Sequence, residues 1–251
     1  MEPSILTFLL FVLVGFCAQM IDGALGMAYG VSSNTFLLSL GVSPVIASAS
    51  VHAAEMFTTL VSGLSHLKFG NVDKSLVLRL LIPGIIGGVT GAYILTRVDG
   101  DVIKPYISAY LLIMGIVIII KSNQETIEKH FRTRFIIPLG LAGGFFDSIG
   151  GGGWGPIVTT TLLANGHHPR KCIGSVNFAE FFVTVSESIT FFLTLGLLKN
   201  WMNIAGLILG GVIAAPFAAL LTRKLPTRWI MIGVGILIVI LSIRTLFLTF
   251  L

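Results

Sequence analysis

Residues 140–156 read GLAGGFFDSIGGGGWGP, and residues 15–30 read GFCAQMIDGALGMAYG. Each stretch places one aspartate, Asp22 or Asp147, shortly before glycines in a chain that is otherwise mostly apolar. Glycine destabilises a helix, and a carboxylate opposes insertion into a bilayer. We therefore expect a helix to break at each stretch, and the recurrence of the pattern needs an explanation.

The composition is that of an integral membrane protein. Hydrophobic residues make up 55% of the 251 residues and charged residues 11%, whereas soluble domains carry about 25% charged residues. The net charge of +5 is no sign of nucleic-acid binding, because in a membrane protein the placement of positive charges matters more than their sum. The N-terminus starts Met-Glu-Pro-Ser without a basic region, so no cleavable signal is expected.

Ten apolar segments are expected, some of them short enough to be half-helices or parts of a re-entrant hairpin. They are 5–21, 24–41, 44–66, 76–97, 102–120, 135–149, 152–165, 170–195, 201–222 and 228–250. If the connections alternate sides, 12 of the 16 Lys and Arg residues fall on one side. The positive-inside rule makes that side cytoplasmic. Both termini are then predicted to face the outside of the cell, and the polar linker 121–134 is predicted to face the cytoplasm.

The chain contains one unit twice. A shift of 125 residues aligns 15–59 with 140–184 without a gap. Identical pairs include Asp22/Asp147, Gly26/Gly151, Gly30/Gly155, Pro44/Pro169, Ser50/Ser175, Glu55/Glu180 and Thr59/Thr184. Each copy has an odd number of crossings, so the second enters from the opposite face. The predicted fold is all-α, an inverted repeat of two five-segment halves, 1–120 and 135–251, whose broken or re-entrant helices meet near the midplane.

Each break precedes a short helix, and this arrangement predicts an anion site. A helix N-terminus presents unpaired N–H groups and a partial positive charge, and glycines let a ligand reach those groups. The substrate-binding candidates here are Gly26, Gly150, Gly151, Gly152 and Gly153. Two alternatives stay open: the glycines let helices pack closely, and Asp22 and Asp147 cap the helices that follow.

The third segment of each copy carries a polar stripe. The first copy has Ser48, His52, Glu55, Thr59, Ser62 and His66 at helical spacing, and the second has Asn177, Glu180, Thr184 and Glu187. Carboxylates within membrane spans usually face a cavity and are functional. Glu55 and Glu180, like Asp22 and Asp147, are therefore candidates for coupling transport to protons. The alternative is that they bond polar partners and hold the two halves together.

The quoted stretches resemble the sulfite exporter TauE/SafE family of bacterial and plant transporters. The resemblance continues with SPVIASASVHAAE at 43–55 and HPRKCIGSVNFAE at 168–180, and it covers nearly the whole chain. It implies a multi-pass carrier for sulfite, sulfoacetate or another small sulfur-containing or organic anion. The first copy departs from the second at Leu25 and Met27, where the second has glycine, and at His52, where it has Asn177.

The expected function is secondary transport of a small sulfur-containing anion, with sulfite as the first candidate, by proton-coupled alternating access in the cell inner membrane. The anion would be held by backbone N–H groups with Ser50, His52, Ser175 and Asn177. The alternatives are a carrier of organosulfonates or other small organic anions, and an anion channel. No enzymatic triad, metal site or cofactor is predicted, and a homo-oligomer is compatible with the sequence.

Overall fold

The computed structural model describes residues 5–122, 135–165, 167–196, 201–221 and 227–250, and all regular secondary structure within these ranges is helical. Most of the expected linker 121–134 lies outside the described residues. A π-helical turn, Gly155–Thr159, directly precedes α7. The helices are α1 Ile5–Leu25, α2 Tyr29–Ser39, α3 Pro44–Lys68, α4 Lys74–Leu95, α5 Gly100–Lys121, α6 Ile136–Gly150, α7 Thr160–Ala164, α8 Pro169–Leu195, α9 Trp201–Leu221 and α10 Thr227–Phe250.

Several helices are long and apolar enough to cross a membrane. Within the described residues these are α1, α3, α4, Asp101–Lys121 of α5 and Arg170–Leu195 of α8. Shorter apolar stretches are Ile136–Gly150, Ile204–Leu220 and Gly235–Leu248. The chain is therefore a multi-pass, all-helical membrane protein, as its composition predicts.

The second segment of each copy is only half as long as a membrane span. The first was expected at 24–41, but α1 continues to Leu25 and α2 has only 11 residues. At about 1.5 Å per residue, α2 covers roughly half of the ~30 Å apolar thickness of a bilayer. Its counterpart consists of the π-helical turn and α7, with five residues each. In both copies one helix, α1 or α6, therefore ends at the break, and a half-length helical segment follows it.

The starts of the long helices follow from local sequence. Pro44 and Pro169 stand in the first turns of α3 and α8, where the missing N–H of proline removes no helical hydrogen bond. Asp73 precedes α4, and its carboxylate accepts a hydrogen bond from the backbone N–H of Ser75 at 2.9 Å. Such a cap satisfies an N–H group that the helix itself leaves unpaired.

The long helices pack mainly against helices of the other copy. Helix α1 lies along α9 and α6 lies along α4, while α3 packs on α8 and α5 on α10. In the repeat alignment α1 corresponds to α6 and α9 corresponds to α4. The contact of α1 with α9 is therefore equivalent to the contact of α6 with α4. The two copies consequently interlock and do not form separate bundles.

Large apolar side chains cover much of the outer surface, and a set of polar side chains is buried together with the apolar core. Many large apolar residues are well exposed, among them Leu6, Leu78, Ile82, Phe217 and Phe247. Acyl chains can cover such a surface without the penalty that water would impose. The buried interior instead contains a group of charged and hydroxyl side chains, described next.

Candidate functional site

The polar stripes of α3 and α8 face each other in the interior. Thr59 and Thr184, which are repeat equivalents, bring their hydroxyl oxygens to 3.4 Å. One turn along, the Ser62 hydroxyl donates to Oδ1 of Asn177 at 2.7 Å. All four side chains are fully buried. The two stripes therefore form one continuous polar seam between the copies.

Five carboxylates are buried along or beside this seam: Asp22, Glu55, Asp147, Glu180 and Glu187. Each is at most 2% exposed. Among the residues that the structure describes, no lysine or arginine is buried with them. An isolated charge in an apolar interior is very costly, so these groups must be neutralised by protons, by histidine or by a bound cation.

His52 is the centre of the best-defined group. Its Nδ1 lies 2.7 Å from the backbone oxygen of Ser48 and donates to it, because a carbonyl can only accept. Its Nε2 lies 3.0 Å from Oε2 of Glu187 and 3.6 Å from Oδ2 of Asp147. The hydroxyl of Ser148 lies 2.8 Å from the other Glu187 oxygen, Oε1, and donates to it.

Asp147 also holds the break between α6 and the next helical segment. Its Oδ1 accepts hydrogen bonds from the backbone N–H groups of Gly153 at 2.7 Å and Trp154 at 3.0 Å. Gly151 and Gly152 have φ of 63° and 151°, a backbone that allows the chain to turn sharply after α6. One oxygen of Asp147 therefore caps the next segment while the other points toward His52.

The first break is built in the same way. Gly26 and Ala28 have φ of 68° and 91°, and the carboxylate of Asp22 accepts a hydrogen bond from the backbone N–H of Tyr29, the first residue of α2. Asp22 and Asp147 thus occupy equivalent positions, each bonded to the residue seven places later. In both copies the carboxylate before the break binds the start of the half-length helix.

The two breaks lie against each other. The Thr159 hydroxyl donates to the backbone oxygen of Gly26 at 2.5 Å, and a Cβ added at Gly30 would come within 2.6 Å of Cα of Gly152. Asn34 on α2 donates to the backbone oxygen of Gly150 at 2.6 Å. Backbone of one copy therefore touches backbone of the other, and glycine provides the room.

The structure brings together some of the candidate residues and not others. His52, Glu55 and Asp147 each offer one side-chain nitrogen or oxygen atom of the kind that coordinates metals, and these three atoms all lie within 4.8 Å of one another. Ser50 is buried on α3. Ser175 lies near the start of α8, where it accepts from the backbone N–H of Asp73 at 2.7 Å.

The predicted anion cradle is partly occupied by the chain itself. The N–H group of Gly153, which was expected to face an anion, instead donates to Asp147. Gly150 packs against the ring of Tyr110. The hydroxyl of Tyr110 donates to the backbone oxygen of Gly152 at 3.2 Å. In this conformation an incoming anion would have to displace Asp147 to reach the N–H groups.

Glu187 is the main member of the group that sequence reasoning left out of the candidate site. It stands seven residues after Glu180, two helical turns along the same stripe, and this spacing was the available signal. Its repeat equivalent is Ser62, so a search for carboxylates that occur in both copies passes over it. Ser148, which donates to Glu187, and Ser48, whose backbone oxygen accepts from His52, were also omitted. Their repeat equivalents, Gly23 and Ile173, are not polar side chains.

The donor types in the His52 group are also those that bind divalent metals. Imidazole nitrogen and carboxylate oxygen suit first-row transition ions, and His52, Glu55 and Asp147 lie close enough together to share one. A proton between Nε2 of His52 and the Glu187 carboxylate accounts for the same short distances.

Comparison with known proteins identifies relatives along nearly the full chain. The model of the sulfite exporter TauE/SafE family matches residues 11–245. The chain is 46% identical over 246 residues to the probable membrane transporter protein YtnM of Bacillus subtilis (strain 168), an alignment that covers 95% of this chain and 82% of that protein.

Two more distant relatives carry similar descriptions. The chain is 18% identical over 270 residues to the probable membrane transporter protein YunE of the same organism, covering 96% of this chain and 98% of that protein. It is 27% identical over 184 residues to the probable membrane transporter protein ORF9 of Sinorhizobium sp, covering 72% and 65%. No solved structure matches the chain. The chain belongs to the sulfite exporter TauE/SafE family of membrane transporters.

Proposed function

We propose that this protein is a secondary carrier of a small sulfur-containing anion, with sulfite as the first candidate, and that it works by alternating access. The observation that carries the proposal is the buried polar seam between α3 and α8, which lies beside two broken helices in contact with each other. Broken helices that meet near the midplane are typical of substrate sites in carriers. The family description supports sulfite as the substrate to test first.

The two copies, 1–120 and 135–251, are proposed to be halves of opposite orientation. The reciprocal packing of α1 on α9 and of α6 on α4 supports a two-fold relation between the copies, and an odd number of crossings in each copy would place the two-fold axis in the membrane plane. The linker 121–134 is proposed to be cytoplasmic and both termini outside, in the cell inner membrane. The distribution of basic residues supports this orientation.

The proposed site binds the anion without a fixed cation. Backbone N–H groups at Gly26 and at Gly150, Gly151, Gly152 and Gly153, together with Ser50, Ser175 and Asn177, are the proposed donors, and the carboxylate of Asp147 must release the N–H group of Gly153 before that group can bind the anion. Because ionised carboxylates would repel an anion, at least one of Glu55 and Glu180 is proposed to be protonated when substrate binds. Transport of the anion would then be linked to a proton.

Flux of sulfite into proteoliposomes tests the proposal. The protein should take up labelled sulfite in a saturable manner, and an imposed pH gradient should drive accumulation. Protein-free vesicles are the control, since sulfite is a weak acid whose neutral forms cross lipid unaided. Absence of saturable flux would contradict sulfite as substrate, and organosulfonates and other small anions would be tested next.

Two further measurements separate the alternatives. If the protein is a carrier, vesicles preloaded with unlabelled sulfite should take up labelled sulfite faster than empty vesicles. If it is a channel, preloading should make no difference. In the variant Glu55→Gln/Glu180→Gln, exchange of sulfite should persist and the response to the pH gradient should disappear. An unchanged response would show that these two carboxylates do not couple the proton.

A further inference from the structure

The two copies build the same side-chain pair with different charge. His52 and Asn177 are repeat equivalents, and so are Ser62 and Glu187. In one place Nε2 of His52 lies 3.0 Å from Oε2 of Glu187. In the other, Ser62 donates to Oδ1 of Asn177 at 2.7 Å. The pair is thus present twice between the copies, ionisable at one position and neutral at the other.

The supporting hydrogen bonds are also equivalent. Nδ1 of His52 donates to the backbone oxygen of Ser48 at 2.7 Å, and Nδ2 of Asn177 donates to the backbone oxygen of Ile173 at 3.2 Å. Ser48 and Ile173 are themselves repeat equivalents. Both side chains are therefore held in one orientation by their own helix, and the difference between the two sites lies in the chemistry of the pair.

The ionisable pair requires a proton. Nδ1 of His52 carries the hydrogen that it donates to Ser48, so a neutral imidazole would present a lone pair at Nε2. That lone pair would face Oε2 of Glu187 and Oδ2 of Asp147, which also carry lone pairs. Among the residues that the structure describes, neither oxygen has another hydrogen-bond partner. The arrangement is attractive only when a proton lies on Nε2 or on one of the two carboxylates.

Other ionisable groups surround this proton from every side. On α3, Glu55 offers an atom within 4.8 Å of His52 and Asp147. Glu180 on α8, Asp22 on α1 and Tyr29 on α2 are also buried in the interior, and Tyr110 on α5 is partly buried. From α4, the glycine Gly88 packs against Glu187. Around the neutral pair, the equivalent of Ser148 is Gly23, which has no hydroxyl to hold a carboxylate.

We propose that the coupling proton is bound by the group His52, Glu187 and Asp147, at only one of the two equivalent positions between the copies, with Ser62 and Asn177 as its neutral counterpart. This inference rests on the proposed proton-coupled transport and adds this one-sided group to Glu55 and Glu180, so that coupling requires both. Because Oδ1 of Asp147 caps the segment at Trp154, a change of charge in the group acts directly on the break.

The variant His52→Asn/Glu187→Ser tests the proposal, since it copies the chain's own neutral pair into the ionisable position. Accumulation driven by a pH gradient should fall to the level seen without a gradient. Glu187→Gln, which keeps the shape of the side chain and leaves His52 in place, should lose accumulation in the same way while exchange of sulfite continues. Ser62→Ala is the matched control, and it should retain the response to the gradient.

The outcomes separate this inference from the proposed function. A double variant that still accumulates sulfite in response to the gradient would overturn the inference and leave the carrier standing. A wild-type protein that exchanges sulfite but ignores the gradient would overturn proton coupling altogether, and with it this inference.

A measurement without substrate covers the case in which sulfite is not transported. The melting temperature of the purified protein should depend on pH, and the double variant should show a flatter dependence than wild type and Ser62→Ala. Equal profiles would overturn the inference. A divalent metal that is retained by wild type at one ion per chain and lost in the double variant would also overturn it, because the group would then be a metal site.

Discussion

Asp147 connects the backbone of the break with the ionisable group. One of its oxygens accepts from Gly153 and Trp154, and the other faces His52 at 3.6 Å. A carboxylate that caps a helix and also shares a proton can transmit a change of charge to the backbone without an intermediate. This double role distinguishes Asp147 from a simple capping residue.

Replacing Asp147 should separate these two roles. Asp147→Asn keeps an oxygen that can accept from Gly153 and Trp154, whereas Asp147→Ala leaves both N–H groups unpaired. We expect the alanine variant to be less stable than the asparagine variant by about 1–2 kcal/mol, the usual effect of losing a cap. Thermal unfolding in detergent measures the difference, and equal stability would show that the cap contributes nothing.

Gly152 is the residue at which the break tolerates no side chain. Its φ of 151° belongs to a region that is essentially restricted to glycine, and an added Cβ would run into the backbone of Val31 and Gly30. Gly152→Ala should therefore lower stability well beyond the roughly 1–3 kcal/mol of backbone strain alone.

Gly41 is the matched control for that prediction. Its φ is 84°, but nothing lies within 4 Å of the position of an added Cβ. Gly41→Ala should therefore cost only the backbone strain of about 1–2 kcal/mol. If the two alanine variants melted at the same temperature, contact between the two breaks would not be important for stability.

Members of the candidate site could be predicted from the sequence where both copies carry the same polar residue at equivalent positions. Asp22, Glu55, Asp147 and Glu180 stand out because polar residues are rare in this chain and these occur at equivalent places. Glu187 could not be selected in the same way because its counterpart is a serine. Which oxygen faces which nitrogen depends on the rotation of α8 against α3, and the spacing along one helix does not determine that rotation.

At the scale of helices, the close crossings depend on glycine. Where α4 crosses α6, an added Cβ at Gly144 would meet the backbone of Gly84 and Gly88. The crossing of α1 and α9 uses Gly15 and Gly210 in the same manner. Small residues let two backbones approach closely, which is a main source of attraction between helices in lipid.

Gly144→Ala should push α6 away from α4. Insertion of a methyl group into a packed contact typically costs about 1–3 kcal/mol. Gly233→Ala on α10 is the control, because nothing lies within 4 Å of its added Cβ. With no described residue in its way, the greater helix propensity of alanine should increase stability there by about 0.5–1 kcal/mol. Thermal unfolding of both variants checks the opposite signs, and a stabilising Gly144→Ala would contradict the packing argument.

For the whole molecule, we expect the proposed alternating access to move the two halves against each other at the α3–α8 seam. Thr59 and Thr184 face each other there with hydroxyl oxygens 3.4 Å apart. In a background with Cys17 and Cys172 replaced by alanine, Thr59→Cys/Thr184→Cys should form a disulfide on oxidation. Sulfite flux should then fall to the background of protein-free vesicles and recover on reduction.

Each single-cysteine variant is the control for that experiment, and its flux should not respond to oxidation. Normal flux through the cross-linked protein would show that α3 and α8 move together during transport. The moving interface would then have to lie elsewhere, for instance at the contact of α5 with α10.

The amino-acid sequence by itself determined the membrane class, the duplication and the place of both breaks, because these follow from composition, from identity between copies and from glycine beside aspartate in an apolar chain. Only the tertiary structure decided that helices pack mainly across the copies, that α2 is half-length, that Asp147 occupies the N–H groups of its own break and that Glu187 faces His52. Those features depend on the rotation and register of one helix against another. Packing between distant segments sets both, and no periodicity within a single segment specifies them.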